Sequence, residues 1–173
     1  MNFKPVFGTG LARSGGGLYS MCLSTHQDLM LACCPNIEFF RSLRNAIVEI
    51  GYLNNLFETI PSNSPLQDWH GDINRIKIFN YILGFDGLDI KFDNKNWNEF
   101  YSTSVARGEL ESEDITKNFD KLAGKTYKNI LDNLLTVIAE TRNCQESKWV
   151  GFHETWILDF YPLLAREYPN AKF

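Results

Sequence analysis

The chain has 173 residues, with 17 Lys and Arg against 21 Asp and Glu, for a net charge of −4 at pH 7 and a pI near 5.4. That length is one domain on a scale of about 100–200 residues each, and the acidic balance argues against wholesale binding to a nucleic-acid backbone. With 44% hydrophobic and 14% aromatic residues there is material for a packed core, which excludes global disorder.

No apolar run approaches the roughly 18–20 residues of a membrane span, and Asn2-Phe3-Lys4 leads directly into structured-looking sequence. A cytoplasmic protein without a cleaved signal or membrane anchor is expected. The four cysteines, Cys22, Cys33, Cys34 and Cys144, contain no C-x-x-C pair, and neighbours such as Cys33 and Cys34 rarely bridge without strain. They read as buried thiols in a reducing compartment. A zinc site from Cys22, His26, Cys33 and Cys34 would need a helix and a strand to converge without knuckle spacing, so no metal is expected.

Pro5-Val6-Phe7-Gly8-Thr9-Gly10-Leu11 reads as a short buried strand running into the glycine-rich turn Arg13-Ser14-Gly15-Gly16-Gly17. Leu18, Met21, Cys22 and Thr25 then recur at helical spacing, which starts a helix on the glycines. Leu29-Met30-Leu31-Ala32-Cys33 is an apolar run of strand length stopped by Pro35, of the kind that suits a parallel sheet covered on both faces. Asn36 can cap a helix with the apolar face Ile37, Phe40, Leu43, Ile47 and Val48. From about residue 52 the pattern breaks into turns and short helices, with a loop cluster at Pro61-Ser62-Asn63-Ser64-Pro65 and turns at Phe85-Asp86-Gly87 and Asp93-Asn94-Lys95-Asn96.

The clearest helix runs from about Lys125 to Thr141, with Tyr127, Ile130, Leu131, Leu134, Leu135 and Ile138 on one face. A strand follows at Trp149-Val150-Gly151-Phe152. Asp159 then reads as the N-cap of a helix to about Glu167, with Pro162 tolerated in its first turn. Ala171-Lys172-Phe173 looks like the opening of another strand. The alternation predicts an α/β fold with a mainly parallel sheet flanked by helices, one domain over 1–173 with a mostly helical and loop insertion over 52–148.

Strand, glycines, then helix places backbone N–H groups and the positive end of a helix dipole around an anion. Gly10-x-x-x-x-Gly15 mimics a Walker A loop, but Gly16 and Gly17 stand where that motif needs Lys and Ser or Thr, which disfavours a magnesium-dependent NTPase. Gly8-x-Gly10 opens a dinucleotide pattern that fails at Arg13, which disfavours an ordinary NAD site.

What remains, Arg13-Ser14-Gly15-Gly16-Gly17-Leu18, resembles the 5′-phosphosulfate loop of the sulfotransferases, where Lys or Arg precedes Ser-Gly and two small, usually hydroxylated residues. Thr25-His26-Gln27-Asp28-Leu29-Met30 is similar to that family's helix end and second strand, and Trp149 to Phe173 to its central strand–helix–strand passage. The resemblance covers about the first 50 and last 25 residues, within the one-domain estimate. It implies a P-loop-like fold and an enzyme that moves the sulfuryl group of 3′-phosphoadenosine 5′-phosphosulfate (PAPS) to a hydroxyl or amine of a small-molecule or glycan acceptor. Arg13, Ser14, Gly15, Gly16, Gly17 and Leu18 would hold the 5′-phosphosulfate, and Arg13 would stabilise the leaving oxygen. Gly16 and Gly17 replace hydroxylated residues, so side-chain contacts to the 5′-phosphate would be lost while backbone donors survive.

In the family, the strand that would begin at Ala171-Lys172-Phe173 continues to an Arg and a Ser that bind the 3′-phosphate. The chain therefore reads as an N-terminal portion, or as one whose 3′-phosphate contacts come from elsewhere. The unpaired sheet edge invites association into a homo-oligomer. The alternative is a catalytically inactive nucleotide-binding or interaction module on the same scaffold.

A hydroxyl acceptor needs a base, most often His or Glu. His153, at the end of the strand Trp149–Phe152, stands where open parallel sheets place ligand-facing residues and matches the catalytic histidine of the family's cytosolic branch. Many bacterial and Golgi members use a Glu just past the second strand, a place comparable to Glu38. His153 ranks first, Glu38 second and Glu154 third. Arg41 and Arg44, one turn apart on the helix of Glu38, could contact an acidic acceptor or phosphates, or lie on an exposed face. His26 and His70 have no partner pattern. The aromatics Trp69, Phe79, Tyr81, Phe85, Phe92, Trp97, Phe100 and Tyr101 could line an acceptor pocket, but core packing is the stronger reading.

Overall fold

A computed structural model describes residues 2–10, 14–33, 37–53, 80, 82–93, 95, 97, 98, 100–102, 117–155 and 157–173. Three parallel strands, β1 (Lys4–Gly10), β2 (Leu29–Cys33) and β3 (Trp149–Thr155), form a sheet in the order β1-β3-β2. The main helices are α1 (Gly16–Leu23), α2 (Ile37–Leu53), α3 (Tyr127–Thr141) and α4 (Tyr161–Glu167). The fold is thus α/β, and among the described residues no helix is long and apolar enough to cross a membrane.

Register fixes which side chains share a face. Phe7 lies opposite Phe152 and Gly8 opposite His153, while Cys33 pairs with His153 from the other side. Because side chains alternate along a strand, the Phe7–Phe152 row and the Gly8–His153–Cys33 row occupy opposite faces. On the first face Phe7 meets Phe152 edge-on at 5.4 Å and Tyr168 at 5.5 Å. Phe40 of α2 packs against Phe152 and Phe160 there. Each such ring removed from water contributes roughly 1.5–3 kcal/mol. The strands approach so closely that a Cβ on Gly151 would collide with the Val6 carbonyl oxygen, which is why the central strand carries glycine there.

Beyond β1, on the side away from β3, the Phe7 N–H donates to the Lys172 carbonyl at 2.9 Å and the Lys172 N–H to Pro5 at 3.1 Å, a parallel bridge. β1 is therefore flanked on both sides. The connection from β1 through α1 passes over β3 to reach β2, whereas that from β3 through α4 crosses β1 in the opposite direction. With right-handed crossovers these two connections leave on opposite faces, opening a crevice between the C-terminal ends of β1 and β3.

α2 buries Phe39, Phe40, Leu43, Ile47 and Val48. α3 is capped by Thr126, whose side-chain oxygen accepts from the Asn129 N–H, and buries Tyr127, Ile130, Leu131, Leu134, Leu135 and Ile138. The Asp132 carboxylate on α3 takes Lys128 Nζ at 2.7 and 2.6 Å and the Tyr168 hydroxyl at 2.8 Å, clamping α3 to the end of α4. Between α2 and α3, Phe92, Phe100 and Phe119 pack ring to ring, and Phe92 reaches Tyr127 at 4.8 Å. These rings are core.

Several expectations need correction. β3 does not stop at Phe152 but runs to Thr155, because Glu154 and Thr155 pair with Thr9 and Gly10. Asp159 is not the N-cap of α4: it lies in a 3-10 turn, Leu158–Phe160, and Phe160 holds that position. The Leu18 and Met21 side chains of α1 are 69% and 70% exposed, and the residue that helix buries is Ser20. Nor are the described cysteines uniformly buried: Cys144 is, Cys33 is half-buried and Cys22 is exposed. Leu11, Ala12, Arg13, Cys34, Pro35, Asn36, the cluster at 61–65, Trp69, His70, Phe79, Tyr81, Asn94 and Asn96 lie outside the described residues.

Candidate functional site

The glycine turn forms as its residue types require. Gly15 is the N-cap of α1 with φ +87°, the left-handed region that favours glycine. No side chain caps α1 and no acidic residue stands in its first turn. The first hydrogen bond along the helix runs from the Tyr19 N–H to the Gly15 carbonyl at 2.9 Å. The N–H groups of Gly16, Gly17 and Leu18 precede it and carry the positive end of the dipole.

His153 reaches this turn from β3. Its Cδ2 would stand 3.2 Å from a Cβ on Gly8, and its Nε2 would stand 3.4 Å from one on Gly10. A Cβ on Gly16 would meet the ring itself, with Nε2 at 2.7 Å and Nδ1 at 2.9 Å. Glycines at 8, 10 and 16 thus clear the path of one imidazole onto the first turn of α1. The residue is 3% exposed, and among the described residues Nδ1 is buried without a hydrogen-bond partner. Burial lowers the His153 pKa below its usual value, and the peptide groups of His153 and Thr9 offset part of that. The ring is therefore held toward its neutral form.

Ser14 is exposed, and its Oγ would lie 3.0 Å from a Cβ on Gly10. The Cys33 Sγ completes the rim, 3.6 Å from where a Cβ on Gly17 would stand. Sequence reasoning read Cys33 as a buried thiol closing the second strand and set a zinc site aside. Its cross-strand pairing with His153 follows from register, which the sequence does not display. Among the described residues no group of three His, Cys, Asp or Glu side chains is placed to hold a metal ion.

The other candidates sit apart in role. Glu38 is buried in the first turn of α2 and takes Arg41 on both oxygens, at 2.8 and 2.9 Å. Arg44 is wholly buried rather than on an exposed face, with Nε and Nη2 donating to the Asn45 side-chain oxygen at 3.1 and 2.8 Å. Burial foremost, with repulsion from Arg41, lowers its pKa to about 10, against the attraction of Glu38. Glu154 is buried, on the face opposite His153, and accepts from the Thr155 N–H at 2.9 Å. His26 Nδ1 accepts from the Asp28 N–H at 3.1 Å, a local turn bond. A cleft of about 590 Å³ is lined by Asp86, Gly87, Asp89, Ile90 and Phe85, one of the aromatics considered for an acceptor pocket, and holds none of the candidate donor-site or base residues.

Comparison of the chain with family models, with curated proteins and with solved structures found no match to any of them.

Proposed function

We propose that this chain carries the donor site of a PAPS-dependent sulfotransferase with a P-loop-like fold. The observation that carries the reading is the buried His153 imidazole, with an orphaned Nδ1, seated on the uncapped first turn of α1 where three glycines make room for it. A ring nitrogen without a partner among the described residues, beside the leading N–H groups of a helix, fits a ligand that presents oxygens. The crevice between β1 and β3 is where open parallel sheets bind ligands.

In this reading the N–H groups of Gly16, Gly17 and Leu18 hold the 5′-phosphosulfate, with Leu18 contributing its backbone alone, since its side chain faces solvent. Arg13 adds a permanent cation where charge builds on the leaving oxygen. PAPS, when bound, supplies the activated sulfuryl group. His153 takes the proton of an acceptor hydroxyl or amine, and burial favours the neutral imidazole that a base requires. Glu38 is less suited to that task, because both its oxygens are engaged by Arg41. The glycines at 16 and 17, without hydroxyls, favour the second reading, a nucleotide-binding module without turnover.

Titration with adenosine 3′,5′-bisphosphate, followed by NMR of the imidazole protons, tests the donor site. Saturable binding that moves the His153 resonances is expected, weakened at least about tenfold by Arg13→Ala. Binding that leaves His153 unmoved, or none, overturns it. Transfer of labelled sulfate from PAPS to a panel of phenols, sugars and amines then separates the enzyme from the module.

A further inference from the structure

Among the described residues, Cys33 is a nucleophile at the site for which the proposed transfer has no use. Cys33 ends β2, pairs in register with His153, and turns its sulfur toward Gly17 on the same face of the sheet. It is half-buried and outside any disulfide. Two features bear on its chemistry. The positive end of a helix favours thiolate over thiol, and the thiolate is the form that reacts. The second is independent of the sulfur: the buried, unpartnered Nδ1 of His153 faces the same turn and can hydrogen-bond to an oxygen placed there.

We propose that Cys33 is a redox-sensitive thiol whose two-electron oxidation by hydrogen peroxide closes the anion site. This rests on the reading of the first turn of α1 as an anion site. The Cys33 thiolate attacks one peroxide oxygen: the S–O bond forms, the O–O bond breaks, sulfur is oxidised to sulfenic acid, and the other oxygen leaves as hydroxide. A low-molecular-weight thiol then condenses with the sulfenic acid, releasing water and leaving a mixed disulfide. Sulfur already stands at van der Waals distance from the space beside Gly17, so either adduct adds bulk next to one of the residues whose N–H groups the anion would use. Attack by a dithiol on the mixed disulfide restores the thiol. Cys22, exposed on α1, and Cys144, buried and with its pKa raised chiefly by burial, lack this setting.

The experiment uses the whole chain with inorganic pyrophosphate as the anion probe. Iodoacetamide labelling is followed by tandem mass spectrometry of the peptide holding Cys33 and Cys34, with Cys33→Ser as the control. Cys33 is expected to label at least about fivefold faster than Cys144, and pyrophosphate to slow Cys33 but not Cys22. Equimolar peroxide followed by glutathione should weaken pyrophosphate binding about tenfold or more, reversed by dithiothreitol and absent in Cys33→Ser. Oxidation of Cys33 that leaves pyrophosphate affinity unchanged overturns the proposal, as does labelling indifferent to pyrophosphate. Neither readout needs sulfuryl transfer: shielding of Cys33 without any transfer activity overturns the enzyme reading alone.

Discussion

The two faces of the sheet are built from the same three strands and differ in almost every other respect. One face is aromatic and closed: Phe7, Phe152, Phe40, Phe160 and Tyr168 interlock on it. The other carries Gly8, Gly10 and Gly16 around one imidazole, and its helix α1 shows Leu18 and Met21 to solvent. Glycine contributes no packing and loses the most entropy on folding, while a buried imidazole with an orphaned nitrogen carries a desolvation penalty. The first face thus stabilises a domain that the second weakens in exchange for space and polarity at the strand ends.

Three measurements can break or sharpen that contrast. The largest effect should come from the aromatic face: Phe152→Ala is expected to cost about 3–5 kcal/mol in urea unfolding, a large part of the roughly 5–15 kcal/mol that domains possess. A loss below about 1 kcal/mol would mean that this face is not the one that holds the fold. Next, Gly16→Ala should cost about 1–3 kcal/mol by overpacking against the ring, and most of that should vanish when His153 is also Ala. Simple additivity in that double-mutant cycle would show that the imidazole does not sit on the turn.

The smallest effect is a pH dependence. The folded pKa of His153 lies below its unfolded value, so between the two the unfolded chain binds more protons. Stability should fall as pH drops through the usual histidine range and level off below the folded pKa. Compared with His153→Gln at pH 8 and pH 5.5, the parent chain should lose more on acidification. An equal loss would place the ring in water.

Much of the fold was legible because it rests on local patterns. The apolar run Leu29–Cys33, the periodicity of Tyr127–Thr141 and the glycines before α1 all became the elements they announce. Other features depend on contacts between distant parts of the chain. Glu154 and Thr155 are polar and fall beyond the apolar run Trp149–Phe152, yet a parallel ladder satisfies their backbone and extends β3 past His153. Asp159 has the chemistry of a cap, but the chain first makes a 3-10 turn and leaves Phe160 at that position. The apolar residues of α1 recur at helical spacing and still face outward, because α1 turns its small residues, Gly16, Gly17 and Ser20, toward the sheet. The collision that makes residue 16 glycine joins it to a histidine in the last quarter of the chain, and no spacing rule reveals that.

The alternation of β3 has a consequence for how this chain can change. Phe152 and His153 are neighbours in sequence but belong to opposite faces. Removing or adding one residue between Val150 and Phe152 would carry the benzyl group to the crevice and the imidazole into the oily layer. Structural integrity and chemistry are written in the same few codons, so this stretch tolerates exchange of side chains far better than any shift in length.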